Sequence, residues 1–117
     1  QRHGTYRVTY VQQSGNCGPI LETVSTINKQ PQTSDLASLG CTGSISYSDD
    51  NCEVTFDTTC PAYNFNVLSY DKMTERGKAI WNVDGSSGTA TEQVIILFPA
   101  NGTITCSSVY NMSLHRL

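Results

Sequence analysis

Apolar and polar residues alternate with period two along almost the whole chain, the pattern a half-buried β-strand requires. It is clearest between Cys41 and Cys60. Cys41, Ile45 and Tyr47 alternate with Thr42, Ser44, Ser46 and Ser48; beyond Asp50-Asn51, Cys52, Val54, Phe56 and Cys60 alternate with Glu53, Thr55, Asp57 and Thr59. This is a hairpin with one apolar face and one polar face. A two-residue turn at Asp50-Asn51 sets Ile45 opposite Phe56, Tyr47 opposite Val54 and Cys41 opposite Cys60. Counted from that turn, Cys41 and Cys60 form a hydrogen-bonded pair, a less comfortable place for a disulfide that a bulge would relieve.

The same periodicity marks the other strands. Over Thr5 to Gln12, Tyr6, Val8 and Tyr10 share one face and Arg7, Thr9 and Val11 the other, up to the turn cluster Ser14-Gly15-Asn16. Pro19 to Ile27 fits two periods, but the β-branched run Thr23 to Ile27 favours a strand. Residues 28–40 read as a long polar loop with room for one helical turn over Ser34 to Ser38. Phe65 to Met73 reads as a strand, Thr74-Glu75-Arg76-Gly77 as a turn, and Lys78 to Val83 as a short strand with Ala79, Trp81 and Val83 inward. Asp84 to Gly88 is a loop by composition. Thr89 to Phe98 is a strand whose second half, Val94 to Phe98, is apolar on both faces. Such a strand is either central and covered or carries an interface. After Pro99-Ala100-Asn101-Gly102, a last strand sets Ile104, Cys106, Tyr110, Met112 and Leu114 against Thr105, Ser107, Val109 and Asn111. The expected fold is all-β: an antiparallel up-and-down meander of seven or eight strands forming a small barrel or flattened barrel-like sandwich, with residues 1–117 as one domain.

Five cysteines, Cys17, Cys41, Cys52, Cys60 and Cys106, are dispersed without C-x-x-C spacing, and His3 and His115 lie at opposite ends. That spacing does not suit zinc, and no metal or cofactor is expected. Dispersed cysteines in a Ser- and Thr-rich chain point to an oxidising compartment: secreted, periplasmic or cell-surface. In a closed eight-strand meander the first and last strands are antiparallel neighbours, which brings Cys17 beside Cys106. The expected bridges are Cys17–Cys106 and Cys41–Cys60, with Cys52 free or linking two chains. Charged residues are 15% of the chain, the net charge is −3, and the basic residues are scattered. This excludes the clustered basic face of a nucleic-acid binder. The longest apolar run is Val94 to Phe98, far short of the roughly 18 residues of a membrane-spanning helix. The chain starts without Met or a signal-like segment, which predicts a mature, processed form.

The opening Gly4-Thr5-Tyr6-Arg7-Val8-Thr9 resembles the start of lipocalin-like and avidin-like (calycin-type) barrels, where a Gly-x-aromatic motif begins the first strand. The end, Cys106-Ser107-Ser108-Val109-Tyr110 to Arg116, resembles the closing strand of small secreted lipocalin-like domains. The resemblance covers only the two ends of the chain, and Tyr6 stands where the family has its central Trp. The chain is also shorter than a standard lipocalin and lacks an evident helix before its last strand. The resemblance implies a barrel whose mouth holds a small ligand.

Catalytic patterns are absent. A Ser–His–Asp set would depend on a terminal histidine, no G-x-S-x-G elbow exists, and nothing in the spacing makes Asp57 and Glu92 converge. Asp49-Asp50-Asn51-Glu53 is an acidic turn without the spaced carboxylates of a calcium loop. Asn101 and Asn111 open glycosylation sequons. Two functional readings follow. In the first, a non-catalytic barrel binds a small apolar or amphipathic ligand through the inward set Tyr6, Tyr10, Tyr47, Phe56, Trp81 and Tyr110. In the second, the chain is a structural subunit of an extracellular filament, adhesin or coat. It would then self-associate through a strand edge, through Val94 to Phe98, or through Cys52.

Overall fold

The computed structural model describes residues 4–27, 32–61, 64–65, 68–69, 72–98 and 103–117. Its elements are β1 (Gly4–Gly15), β2 (Thr23–Ile27), α1 (Thr33–Ser38), β3 (Thr42–Tyr47), β4 (Glu53–Pro61), β5 (Asn64–Phe65), β6 (Leu68–Ser69), β7 (Lys72–Trp81), β8 (Ser87–Phe98) and β9 (Thr103–Arg116). Seven strands form one sheet in the order β2-β1-β9-β8-β7-β4-β3; β5 and β6 pair separately. Every ladder is antiparallel. The meander therefore joins its own ends: β1 lies against β9, with Val8 opposite Leu114 and Tyr10 opposite Met112. The sheet curls into a half-barrel. Among the described residues no ladder joins β2 to β3, so the seam lies open there rather than closing as a full barrel.

The hairpin register is the expected one, with Ile45 opposite Phe56 and Tyr47 opposite Val54. Its turn is longer than two residues. Ser48 N–H donates to the Glu53 carbonyl, and Asp50 Oδ1 accepts from Ser48 Oγ and from Cys52 N–H. Asn51 supplies the positive φ of 58°, which Asn tolerates better than most residues. Closing the ladder at Ser48 and Glu53 shifts its parity by one. Cys41 and Cys60 then fall in a non-hydrogen-bonded pair, and their Cα atoms are 4.3 Å apart, close to the spacing such pairs have. The disulfide needs no bulge. The second bridge joins Cys17 to Cys106, and Cys52 is free.

The stretch read as a turn at Thr74 to Gly77 is the middle of a continuous strand, β7. Met73, Glu75, Gly77, Ala79 and Trp81 keep one parity, while Arg76 and Lys78 point outward to Asp57 and Glu53. The glycine is a packing requirement, not a breaker. A Cβ on Gly77 would run into the Thr91 carbonyl oxygen, and one on Gly43 into that of Asp57. Glycine at such points lets adjacent strands approach and the sheet coil. Gly77→Ala is expected to cost about 2–3 kcal/mol, read as a lower urea midpoint at unchanged slope. An unaffected midpoint would show that the close approach is not required.

Other boundaries also moved. The strand expected over Phe65 to Met73 is divided: Phe65 pairs with Leu68 in the small β5–β6 ladder, and β7 begins at Lys72. Val83, expected inward, is 89% exposed in the turn after β7. Ile104, expected inward, is exposed because the β8–β9 register shifts between Ile96 and Leu97. Val94 to Phe98 belongs to β8, which has a ladder on each side. Val94 and Ile96 are buried on the concave face, and Ile95 and Leu97 are half-buried on the convex one. That central position accounts for an apolar run on both faces.

Helix α1 covers part of the β3 edge. Its Leu36 is buried. The Thr33 hydroxyl accepts the Ile45 N–H and donates to the Ile45 carbonyl, and the Leu36 carbonyl accepts the Cys41 N–H. These bonds take up backbone groups that an edge strand would otherwise present to another chain.

The core occupies the concave face in two clusters. One contains Cys17, Met73, Val94, Ile96, Cys106 and Tyr110; the other contains Tyr6, Val8, Ala79, Trp81, Ala90 and Leu114. Tyr10 packs against both.

Candidate functional site

Between the clusters the concave face carries a polar belt. Glu92 of β8 stands between Gly77 of β7 and Tyr110 of β9. Glu75 of β7 stands between Thr58 of β4 and Val94 of β8. Glu92 is only 5% exposed. Burial first, then a hydrogen bond to Glu75 and its negative charge, push the Glu92 pKa up to about 9. At neutral pH Glu92 is therefore a neutral carboxylic acid, able to donate a hydrogen bond to its neighbour. Burial also raises the phenol of Tyr10, against the effect of a hydrogen bond with Thr23, and Glu92 and Glu75 add to the rise. Burial raises Tyr110 as well, and the charge of Glu92 contributes.

Charge balance sharpens the picture. The ion pairs Arg7–Glu22, Arg76–Asp57 and Lys78–Glu53, at 3.3, 3.7 and 2.8 Å, all lie on exposed parts of the molecule. Among the described residues no cation pairs with Glu75 or Glu92. The convex face holds a shallow groove of about 520 Å³ beside Thr55, Asp57, Arg76, Lys78, Thr91 and Gln93. Its arginine and lysine are already paired with carboxylates.

The six aromatics expected to line a barrel all share the concave parity, but they play two structural parts. Tyr6, Trp81 and Tyr110 are buried. The Tyr6 ring packs on Trp81 with centroids 4.8 Å apart, and its hydroxyl donates to the Gly85 carbonyl at 2.7 Å. The Tyr110 hydroxyl donates to the Gly18 carbonyl at 2.6 Å, tying down the segment that the Cys17–Cys106 bridge also holds. Tyr10, Tyr47 and Phe56 are half-buried, and Phe56 lies directly across β7 from Gly77 and thus in the row of Glu92.

Glu75 is the residue that sequence reasoning missed. The apparent turn hid it, although its parity with Ala79 and Trp81 was there to be read. Asp57 and Glu92, the carboxylates considered for convergence, are on opposite faces, and Asp57 pairs with Arg76. His115 is exposed on β9, and Asn111 is exposed with its side chain accepting from Thr91 Oγ1. His3 and Asn101 lie outside the described residues.

Fold and site together define a class: a disulfide-stapled antiparallel half-barrel with a carboxyl-bearing belt across an apolar concave face. Two disulfides fit an oxidising environment outside the cytosol. No protein-family model, curated protein or solved structure matches the chain.

Proposed function

We propose that the protein is a secreted or periplasmic, non-catalytic binding protein of the lipocalin-like or avidin-like kind, whose concave face takes a small apolar or amphipathic ligand. One observation carries this reading. Tyr10 and Phe56 are left half-buried near the buried Glu92 and the half-buried Glu75, with Tyr47 half-buried on the same face, and an apolar wall with a few convergent polar groups is what small-molecule sites have in common. An entrance would lie between β2 and β3, which form no ladder with each other among the described residues. The test is native mass spectrometry of protein recovered from an oxidising expression compartment, with and without organic extraction. Binding predicts an extractable adduct, reduced at least about tenfold in Phe56→Ala, which corresponds to the loss of about 1.4 kcal/mol of contact. Protein that carries no adduct and takes up no hydrophobic probe on this face would count against it.

A second reading, a subunit of an extracellular assembly, draws on the sheet edges. Helix α1 blunts the β3 edge, whereas β2 forms a ladder on one side only among the described residues. Val94 to Phe98 lies along the central strand, so strand addition falls to β2, with the half-buried Cys52 thiol open to an interchain bridge. Concentration-dependent elution in size-exclusion chromatography favours assembly; a constant monomer favours the first reading.

A further inference from the structure

We infer that a single proton shared by Glu75 and Glu92 latches the concave face shut, and that loss of this proton opens the half-barrel along the belt between its two apolar clusters. The geometry favours the proton. Glu92 is 5% exposed, and a carboxylate so buried is stabilised by a compensating positive charge, by hydrogen-bond donors or by taking up a proton. Among the described residues no positive charge faces it from any element around it. β1 presents Tyr10 and Gln12, β4 presents Phe56 and Thr58, β7 presents Glu75 and Gly77, and β9 presents Ser108 and Tyr110. Among the described residues the only other charged group facing Glu92 is thus a second carboxylate. With one proton between them, the pair forms a charge-assisted hydrogen bond linking β7 to β8. Without it, two like charges face each other on the concave face, Glu92 buried and Glu75 half-buried.

The position makes this a conformational device and not just a local cost. The belt separates the cluster around Ile96 and Tyr110 from the cluster around Tyr6 and Trp81, with Tyr10 packed against both. Water drawn to a doubly charged belt enters where the two clusters meet. The effect has a definite sign. The folded state keeps a proton that the unfolded chain releases near the ordinary value of 4.5, and it gives that proton up only near 9. Stability is therefore highest at the acid end of this window and falls as pH rises through it.

The experiment follows the urea midpoint, far-ultraviolet circular dichroism and binding of a hydrophobic dye from about pH 5 to about pH 9.5. It compares the wild-type protein with Glu92→Gln and Glu75→Gln. Carbon-13 chemical shifts of the carboxyl groups are followed in the wild type. The expected result is a falling wild-type midpoint, dye binding that rises while strand signal persists, and a Glu92 carboxyl that titrates far above the ordinary range. Glu92→Gln should show a nearly flat midpoint and exceed the wild type at the alkaline end; Glu75→Gln should lie between them. The inference is overturned if Glu92 titrates near the ordinary value. It is equally overturned if Glu92→Gln keeps the wild-type slope, or if the midpoint falls with no rise in dye binding while the sheet persists. Should Glu92→Gln fail to fold, the wild-type titration and Glu75→Gln still decide it.

Discussion

Replacing Cys17 and Cys106 together by alanine is expected to remove about 4 kcal/mol of folding stability, the larger of the two disulfide effects. The bridge spans 89 residues and so restrains nearly the whole unfolded chain, whereas Cys41–Cys60 spans 19. Loop-closure entropy grows with the logarithm of loop length, so the long bridge should be worth about 1 kcal/mol more than the short one. Its removal also frees the segment after β1. That segment's remaining ties are non-covalent, among them Cys17 N–H to Ser108 Oγ at 2.7 Å, Tyr110 hydroxyl to the Gly18 carbonyl, Asn16 N–H to the Ser107 carbonyl and Ser107 N–H to Asn16 Oδ1. A single domain is typically stable by about 5–15 kcal/mol, so the variant is expected to be marginal at elevated temperature. Urea titration under non-reducing conditions measures the loss. Cys52→Ser is the internal control, since Cys52 is unbridged, and it should stay within about 0.5 kcal/mol of the wild type. Peptide mapping that found Cys52 in an intrachain bridge would overturn the pairing.

Trp81→Ala should cost about 3–5 kcal/mol, the range for deleting a buried tryptophan from a packed core. Trp81 is 7% exposed and shares its cluster with Tyr6, Val8, Ala79, Ala90 and Leu114. Its ring also covers Gly88 on β8, where a Cβ would lie 2.9 Å from the indole. The neighbours cannot close the resulting gap easily, because Tyr6 is held at its far end by the bond to Gly85. Trp81→Phe, which keeps an aromatic ring on Tyr6, should retain more than half of the lost stability. Wild-type fluorescence should be blue-shifted, as expected for a buried indole. A red-shifted emission, or an alanine variant within about 1 kcal/mol of the wild type, would contradict the assignment of this face.

Much of the architecture is legible in the order of residue types. Alternation along Thr5 to Gln12, Cys41 to Cys60 and Cys106 to Leu114 sets which side chains share a face, because a strand turns its side chains by half a revolution per residue. The same alternation pairs Ile45 with Phe56 and, through the meander, carries Cys17 to Cys106. Where it failed, a local signal competed with it. Gly77 beside three charged or polar residues looks like a turn, since glycine and polarity do mark turns. Here the glycine answers a contact with Thr91 on another strand. The turn length after Ser48 failed similarly: the side-chain bonds of Asp50 close a longer loop than the bare Asp-Asn pair suggests.

The sequence by itself determined the class of structure, the faces of β1, of the β3–β4 hairpin and of most of β9, both disulfides and the spare thiol, because these depend on periodicity and on a few short-range or topologically forced pairings. Only the tertiary structure decided that no ladder joins β2 to β3 among the described residues, that β8 is the central strand, and that Glu75 meets Glu92 across the concave face. Those outcomes depend on how neighbouring strands are staggered. Glu75 and Glu92 are far apart in the chain and carry no mutual signal in it. They become a pair only when β7 and β8 align in the register that sets Gly77 opposite Glu92, which buries Glu92 with no cation paired to either among the described residues.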